Sequence, residues 1–229
     1  PDGPHNLSEL WIVGCDNLES LPDGWLSTTI LRELTIYDCR KLEALPDHVH
    51  KLTSLQQLEL RVFPGAVSYF LQGNLPTNLN SLSISNISNL PSPSEWGLHR
   101  LSCLTKLHIN GGTIFPNLVF FPDPEGGNGM SLPASLTEVH IENFPNLEYL
   151  SSEFQNLISL EMLEISHCPK LNNFQGLPRS LLQLFILDCP GLRQRWKRER
   201  GKYWPIIAHI PCIEIEWRSL FDPEKDYSV

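Results

Sequence analysis

The sequence predicts an α/β solenoid, a single elongated stack of short parallel strands joined by irregular returns. Two observations carry this prediction. In Leu31–Pro46, LRELTIYDCRKLEALP, the apolar residues fall at Leu31, Leu34, Ile36, Leu42 and Leu45, with Cys39 between the two groups. That spacing follows neither a helical nor a strand period along its whole length. The same spacing recurs 24 residues upstream as Leu7, Leu10, Ile12, Cys15, Leu18, Leu21 and Pro22. An offset apolar pattern repeated every ~20–29 residues marks a leucine-rich repeat. No such unit can bury its own leucines, so the units must stack. The expected form is a leucine-rich-repeat horseshoe with a concave parallel β-sheet, an irregular convex side and a C-terminal cap.

The first leucines of successive units are Leu7, Leu31, Leu55, Leu79, Leu104, Leu136, Leu160 and Leu181, at intervals of 24, 24, 24, 25, 32, 24 and 21 residues. Repeats one and two are regular, and both end in Leu-Pro. Repeat three keeps its strand (Leu55, Leu58, Leu60) and then departs through Pro64–Leu75. Repeat four returns through PSPSEWGLHR, whose prolines and Trp96 suit an irregular convex side. Repeat five leads into the longest interruption, where Pro122–Met130 (PDPEGGNGM) is expected to be a mobile surface loop. Repeats six to eight return to the pattern at Leu136, Leu160 and Leu181. LPTNL, LPASL and LPRSL announce the same turn before three repeats. The repeats are therefore expected over 1–192 and a cap with its tail over 193–229. Within the cap, Ile213 and Ile215 alternate with Glu214 and Glu216, which predicts a last strand. Nine strands at ~4.8 Å would span roughly 40 Å.

The net charge of −9 tells against nucleic-acid binding through a broad basic surface. The charge is uneven. Arg193, Arg195, Lys197, Arg198, Arg200 and Lys202 stand against Glu199 alone, a local +5 that leaves −14 elsewhere. This basic run reads as a solvated cap helix, as a surface that docks on an acidic face of another domain, or as a nucleic-acid or anionic-lipid contact.

Of the six cysteines, Cys15, Cys39, Cys168 and Cys189 each lie eight residues after a repeat's first leucine. That is a rung position that suits a small buried thiol. All six are expected to be reduced, as in a cytoplasmic or nuclear protein. No signal peptide or membrane-spanning run is evident. The chain opens inside a repeat, so a longer parent is expected.

In L-x-x-L-x-L, the third, fifth and seventh positions face the concave side. Apolar residues mark its two ends: Trp11, Val13 and Tyr37 at one, and Met162, Phe185 and Leu187 at the other. His108, His140 and Glu164 occupy one column on consecutive rungs, with Glu142 beside them. Two imidazoles and a carboxylate could hold Zn²⁺. The 32-residue interval argues against their alignment, so a solvated polar surface is preferred and no metal is assigned. No motif suggests a nucleophile, base and orienter, and no catalysis is expected.

The units LTIYDCRKLEALPDHVHKLTSL and LEISHCPKLNNFQGLPRSL resemble the C-terminal leucine-rich repeats of plant intracellular nucleotide-binding immune receptors. The closing CPGLRQRWKRERGKYWPIIAHIPCIEIEW is similar to the ending of their coiled-coil class. The resemblance covers essentially the whole chain and implies a cytoplasmic, possibly nuclear, disease-resistance receptor. Its repeats would recognise a pathogen effector or a guarded host protein and restrain the receptor's own nucleotide-binding domain. ADP or ATP would belong to that domain only, because no G-x-x-x-x-G-K-[ST] loop occurs here. The alternative is a non-catalytic scaffold or adaptor for protein–protein interaction. Under either reading the partner surface comprises Trp11, Tyr37, His108, His140, Glu142, Met162, Glu164, Phe185 and Leu187.

Overall fold

The structure is a computed structural model that describes residues 7–21, 30–45, 49–62, 75–87, 96–112, 115, 117–122, 132–193, 205–216 and 218–219. Its backbone is a ladder of parallel strands, one per repeat. They are β1 (Glu9–Val13), β2 (Glu33–Tyr37), β3 (Gln57–Arg61), β4 (Ser81–Ser85) and β5 (Lys106–Asn110). After the short β6 (Phe120–Phe121) comes β7 (Glu138–Glu142), and after β8 (Tyr149–Leu150) comes β9 (Met162–Ser166). The last members are β10 (Asn173–Phe174), β11 (Gln183–Leu187), β12 (Cys212–Ile215) and β13 (Arg218–Ser219). The main sheet runs β1-β2-β3-β4-β5-β7-β9-β11-β12-β13, parallel except for the final antiparallel pair. The leucine-rich-repeat solenoid expected from the spacing is therefore the fold, with little helix in its returns.

The register never slips. Leu34 pairs with Leu58, Leu58 with Leu82, Leu82 with Leu107, and so on to Leu184 and Ile213. Side chains alternate across a strand, so one column of each pair points inward. Leu34, Leu58, Leu82, Leu107, Val139, Leu163, Leu184 and Ile213 are all buried, as are Ile36, Leu60, Ile84, Ile109, Ile141, Ile165 and Ile186.

The return segments use the expected devices. In LPTNL, LPASL and LPRSL the leucine that opens each repeat donates its N–H to the proline carbonyl three residues back: Leu79 to Pro76, Leu136 to Pro133 and Leu181 to Pro178. The small polar residue of each turn then reaches the preceding repeat. Asn78 donates to the Thr53 carbonyl, Ser135 to that of Leu104, and Ser180 to those of Leu157 and Leu160. Short 3₁₀ turns lie in other returns at Val49–Lys51, Leu98–Arg100 and Ser152–Asn156.

Two features were not expected from the sequence. A second sheet, β10-β8-β6, runs along the returns of the later repeats, with Phe120 stacked on Tyr149 at 5.4 Å. Inside, Trp96, Phe115, Phe144, Phe121 and Phe154 form a chain of ring contacts at 5.8–6.2 Å. Gly111 belongs to this cluster, because a Cβ there would lie 2.6 Å from the Phe144 ring.

After most strands of the main sheet the next residue adopts left-handed backbone, as at Gly14, Asp38, Asn86, Asn143, His167, Asp188 and Glu216. Most of these are residue types that tolerate φ > 0. Val62 does so as well, with φ 49°, although it is β-branched. Relieving that strain with Val62→Asn is expected to stabilise the chain by about 0.5–1 kcal/mol, after some lost burial. Urea denaturation of the two proteins checks this, and a destabilised variant would contradict it.

The predicted last strand is β12, whose Ile213 is buried, as are Ile207 and Ile210 before it. Of the predicted basic run, Arg193 lies in helical backbone with Pro190, Gly191 and Leu192 and is exposed. Arg195, Lys197, Arg198, Arg200 and Lys202 lie outside the described residues, as does most of the predicted mobile loop after Pro122. Pro122 itself is buried. All six cysteines are free thiols. Among the described residues no helix is long and apolar enough to cross a membrane.

Candidate functional site

The outward positions of the main sheet form one continuous face. Parallel pairing at constant register lines up its three columns without a break. The 32-residue interval between Leu104 and Leu136 does not disturb them, contrary to the sequence expectation. His108 stands opposite His140, and His140 opposite Glu164. The additional residues fall in the return after Asn110, before and after β6, which pairs with β8 as β8 pairs with β10, so the ladder keeps its phase.

The centre of the face is a polar network across β4, β5, β7 and β9. His140 is bracketed by two carboxylates, with Nε2 2.7 Å from Glu138 Oε1 and Nδ1 3.1 Å from Glu164 Oε2. His108 lies between the Ser83 hydroxyl, 3.2 Å from Nδ1, and Glu142 Oε2, 3.2 Å from Nε2. The two imidazoles meet edge to face with centroids 5.9 Å apart. Lys106 closes the network through Glu138 at 2.8 Å. Burial works against the ionised Glu138 carboxylate, but the hydrogen bonds and charges of Lys106 and His140 outweigh it and hold its pKa below the ordinary value. Glu138 therefore adds stability above the ordinary carboxylate pKa and loses it as the pH falls through its own lower value.

This network makes metal binding a poor use of the site. Each imidazole nitrogen already has a partner, three of them on neighbouring strands and one, Glu138, on His140's own strand, and the described residues contain no convergent group of three or more metal-binding side chains. The order Ser83–His108–Glu142 is that of a nucleophile, base and orienter, which no sequence motif announced. Such a set also needs donors for a developing oxyanion. Around it the strand backbones pair with one another in the β3-β4-β5-β7 ladder. The arrangement reads as cross-strand ties, worth about 0.2–1 kcal/mol each.

The two ends differ from the centre. On β1, Trp11 and Val13 are 63% and 50% exposed. On β2, Tyr37 is half-buried, and the Arg61 guanidinium of β3 lies over its ring, 4.8 Å from the centroid. At the far end Met162, Phe185 and Leu187 are half-buried, with Phe185 opposite Glu214 of β12. All nine predicted surface residues thus lie on one sheet, in three groups. Lys106, Glu138 and Ser83 were not singled out as site residues. Their signal was present in the two-residue spacing Lys106/His108 and Glu138/His140 and in the ladder position of Ser83 beside His108.

The buried thiols serve the rungs beneath this face. Cys39 donates to the carbonyls of Ile12 and Tyr37, and Cys189 to those of Ile165 and Leu187. Burial pushes the Cys39 thiol up, and the neighbouring Cys168 with burial pushes Cys189 up, so both remain neutral.

No family model matches the chain. Over 147 residues, 63% of its length, it is 34% identical to a candidate disease resistance protein of Arabidopsis thaliana. It is 40% identical over 68 residues to an Arabidopsis thaliana protein named for variation in compound-triggered root growth response. These matches span 10% and 6% of those proteins, so the chain corresponds to a small part of each. Among solved structures, a leucine-rich-repeat protein of Leptospira interrogans superposes with a TM-score of 0.56 and 22% identity, over 91% of this chain and 49% of that one. That likeness concerns the fold. The chain is a leucine-rich-repeat solenoid suited to protein–protein interaction, with a sequence relative among plant disease resistance proteins.

Proposed function

We propose that this solenoid is the ligand-sensing and autoregulatory module of an intracellular plant immune receptor, in the cytoplasm or nucleus. Its strand face would meet a pathogen effector or a guarded host protein, and in the resting state would restrain the receptor's own nucleotide-binding domain. The observation that carries this reading is the 34% identity to the candidate disease resistance protein over 147 residues. The face adds chemical support, because anchoring aromatic and apolar residues flank a selective polar centre. The reading involves no catalysis by this chain.

The test replaces His140, Glu164 and Phe185 together with alanine in the longer receptor. If the face senses ligand, effector-triggered cell death is lost. If it restrains the receptor, death occurs without effector. A stably expressed triple variant with a normally regulated response would defeat both versions and favour a scaffold that assembles other proteins.

A further inference from the structure

The charged side chains of the strand face are unevenly satisfied. In the centre, Glu138, Glu142 and Glu164 are each paired with Lys106, His108 or His140. Towards β1, three carboxylates project from the same face: Glu9, Glu33 and Glu59, on consecutive strands. Among the described residues, no ion pair or side-chain hydrogen bond engages any of them. Glu9 and Glu33 are directly opposite each other, and Glu59 follows Thr35 in the column that Trp11 begins. Arg61, the cation among the outward positions of β1, β2 and β3, is drawn over Tyr37. Trp11 has no such cation among the described residues, and its indole is the most exposed aromatic ring described on the face.

From this asymmetry we infer that Trp11, with Glu9, Glu33 and Glu59, receives an arginine or lysine side chain from a basic segment of a partner protein. The Arg61–Tyr37 pair shows the arrangement within the chain itself: a guanidinium from one rung over the ring of the next. An incoming cation over the Trp11 indole would repeat that contact, which is strongest for tryptophan. The three carboxylates would compensate its charge, and Val13 would cover the aliphatic stem of the side chain. The paired centre has no such demand, so the basic segment engages the β1–β3 end. This inference rests on the reading of the strand face as a protein-recognition surface and names the chemistry of one partner.

The test measures binding of a labelled oligo-arginine peptide to the purified chain at low and at physiological salt. At low salt, Trp11→Ala is expected to weaken binding about threefold, and Trp11→Phe less, as a cation–π contact at an exposed site implies. The triple change Glu9→Gln, Glu33→Gln and Glu59→Gln should weaken it about tenfold, as three exposed ion pairs imply. Removing equal charge off the face, with Glu148→Gln, Glu153→Gln and Glu161→Gln, should leave affinity within about twofold. Circular dichroism melting confirms that each variant folds. Equal losses for the two triple variants, or no effect of Trp11→Ala, would overturn the inference and reduce the binding to general attraction by net charge. Peptide binding does not depend on an immune response. Site-specific binding with no effect of the strand face on cell death would count against the receptor reading alone. A strand face that governs cell death without site-specific peptide binding would count against this inference alone.

Discussion

Replacing Phe144 with alanine is expected to lower the stability of the chain by about 3–5 kcal/mol, the usual range for removing a buried ring. Phe144 is fully buried, stacks on Phe115 at 6.1 Å with nearly parallel rings, and meets Phe121 at 6.2 Å. Its position eight residues after the first leucine holds cysteine in four other repeats, so the site is built around an unusually large side chain. Gly111 closes from the other side, where even a methyl group would collide with the ring. Backbone that has given up a side chain to accommodate a ring cannot refill the space when the ring is lost, so the cavity remains. A linear stack carries a second consequence. Each repeat contacts only its neighbours, so a weak joint at β5–β7 should split unfolding into two transitions. Urea denaturation followed by circular dichroism would record both. A cooperative transition within 1 kcal/mol of the parent would show that the aromatic cluster contributes little.

Deleting the chain after Leu192 is expected to abolish cooperative folding and to produce associating material. β12 covers the hydrogen-bonding edge of β11 from Cys212 to Ile215, and β13 folds back antiparallel on β12. Ile213 of β12 is buried, as are Ile207 and Ile210 in the segment before it. Without these residues, the open edge of β11 and the ends of the leucine columns would face water, a template for pairing between chains. Ile213→Ala is the milder companion and should cost about 2–5 kcal/mol. Size-exclusion chromatography with urea denaturation tests both. A monomeric 1–192 fragment with one sharp transition would refute the capping role. The sequence also offers Trp204 as a plug for the end of the stack, and that residue lies outside the described residues.

What the sequence determined by itself was the phase of the ladder. The apolar code L-x-x-L-x-L combines a strand period with an offset that no isolated element can satisfy, so its recurrence sets both the strand positions and the inward face. The same logic places Trp11, His140 and Phe185 on one surface. The turn chemistry was legible too, because Leu-Pro-x-Asn/Ser-Leu carries its own hydrogen-bonding groups. The column Gly14, Asp38, Asn86, Asn143, His167 and Asp188 also bore a readable left-handed signal, although the leucine spacing alone does not draw attention to it.

Only the tertiary structure decided the rest. Whether His108 and His140 align depended on where the additional residues of the 32-residue interval went. Insertion length does not specify that, because a solenoid can expel inserted chain from its returns without shifting a strand. The second sheet and the aromatic chain join residues that the repeat does not relate, such as Trp96, Phe115 and Phe154, and their meeting depends on how the returns fold together. The pairing of charges is likewise a property of neighbouring rungs. Glu33 and Glu138 hold the same position in the repeat code. Glu138 meets Lys106 of the adjacent β5, besides His140 of its own strand, while Glu33 stands opposite Glu9 and Gln57, and the Lys106 contact arises from which strands the ladder brings side by side.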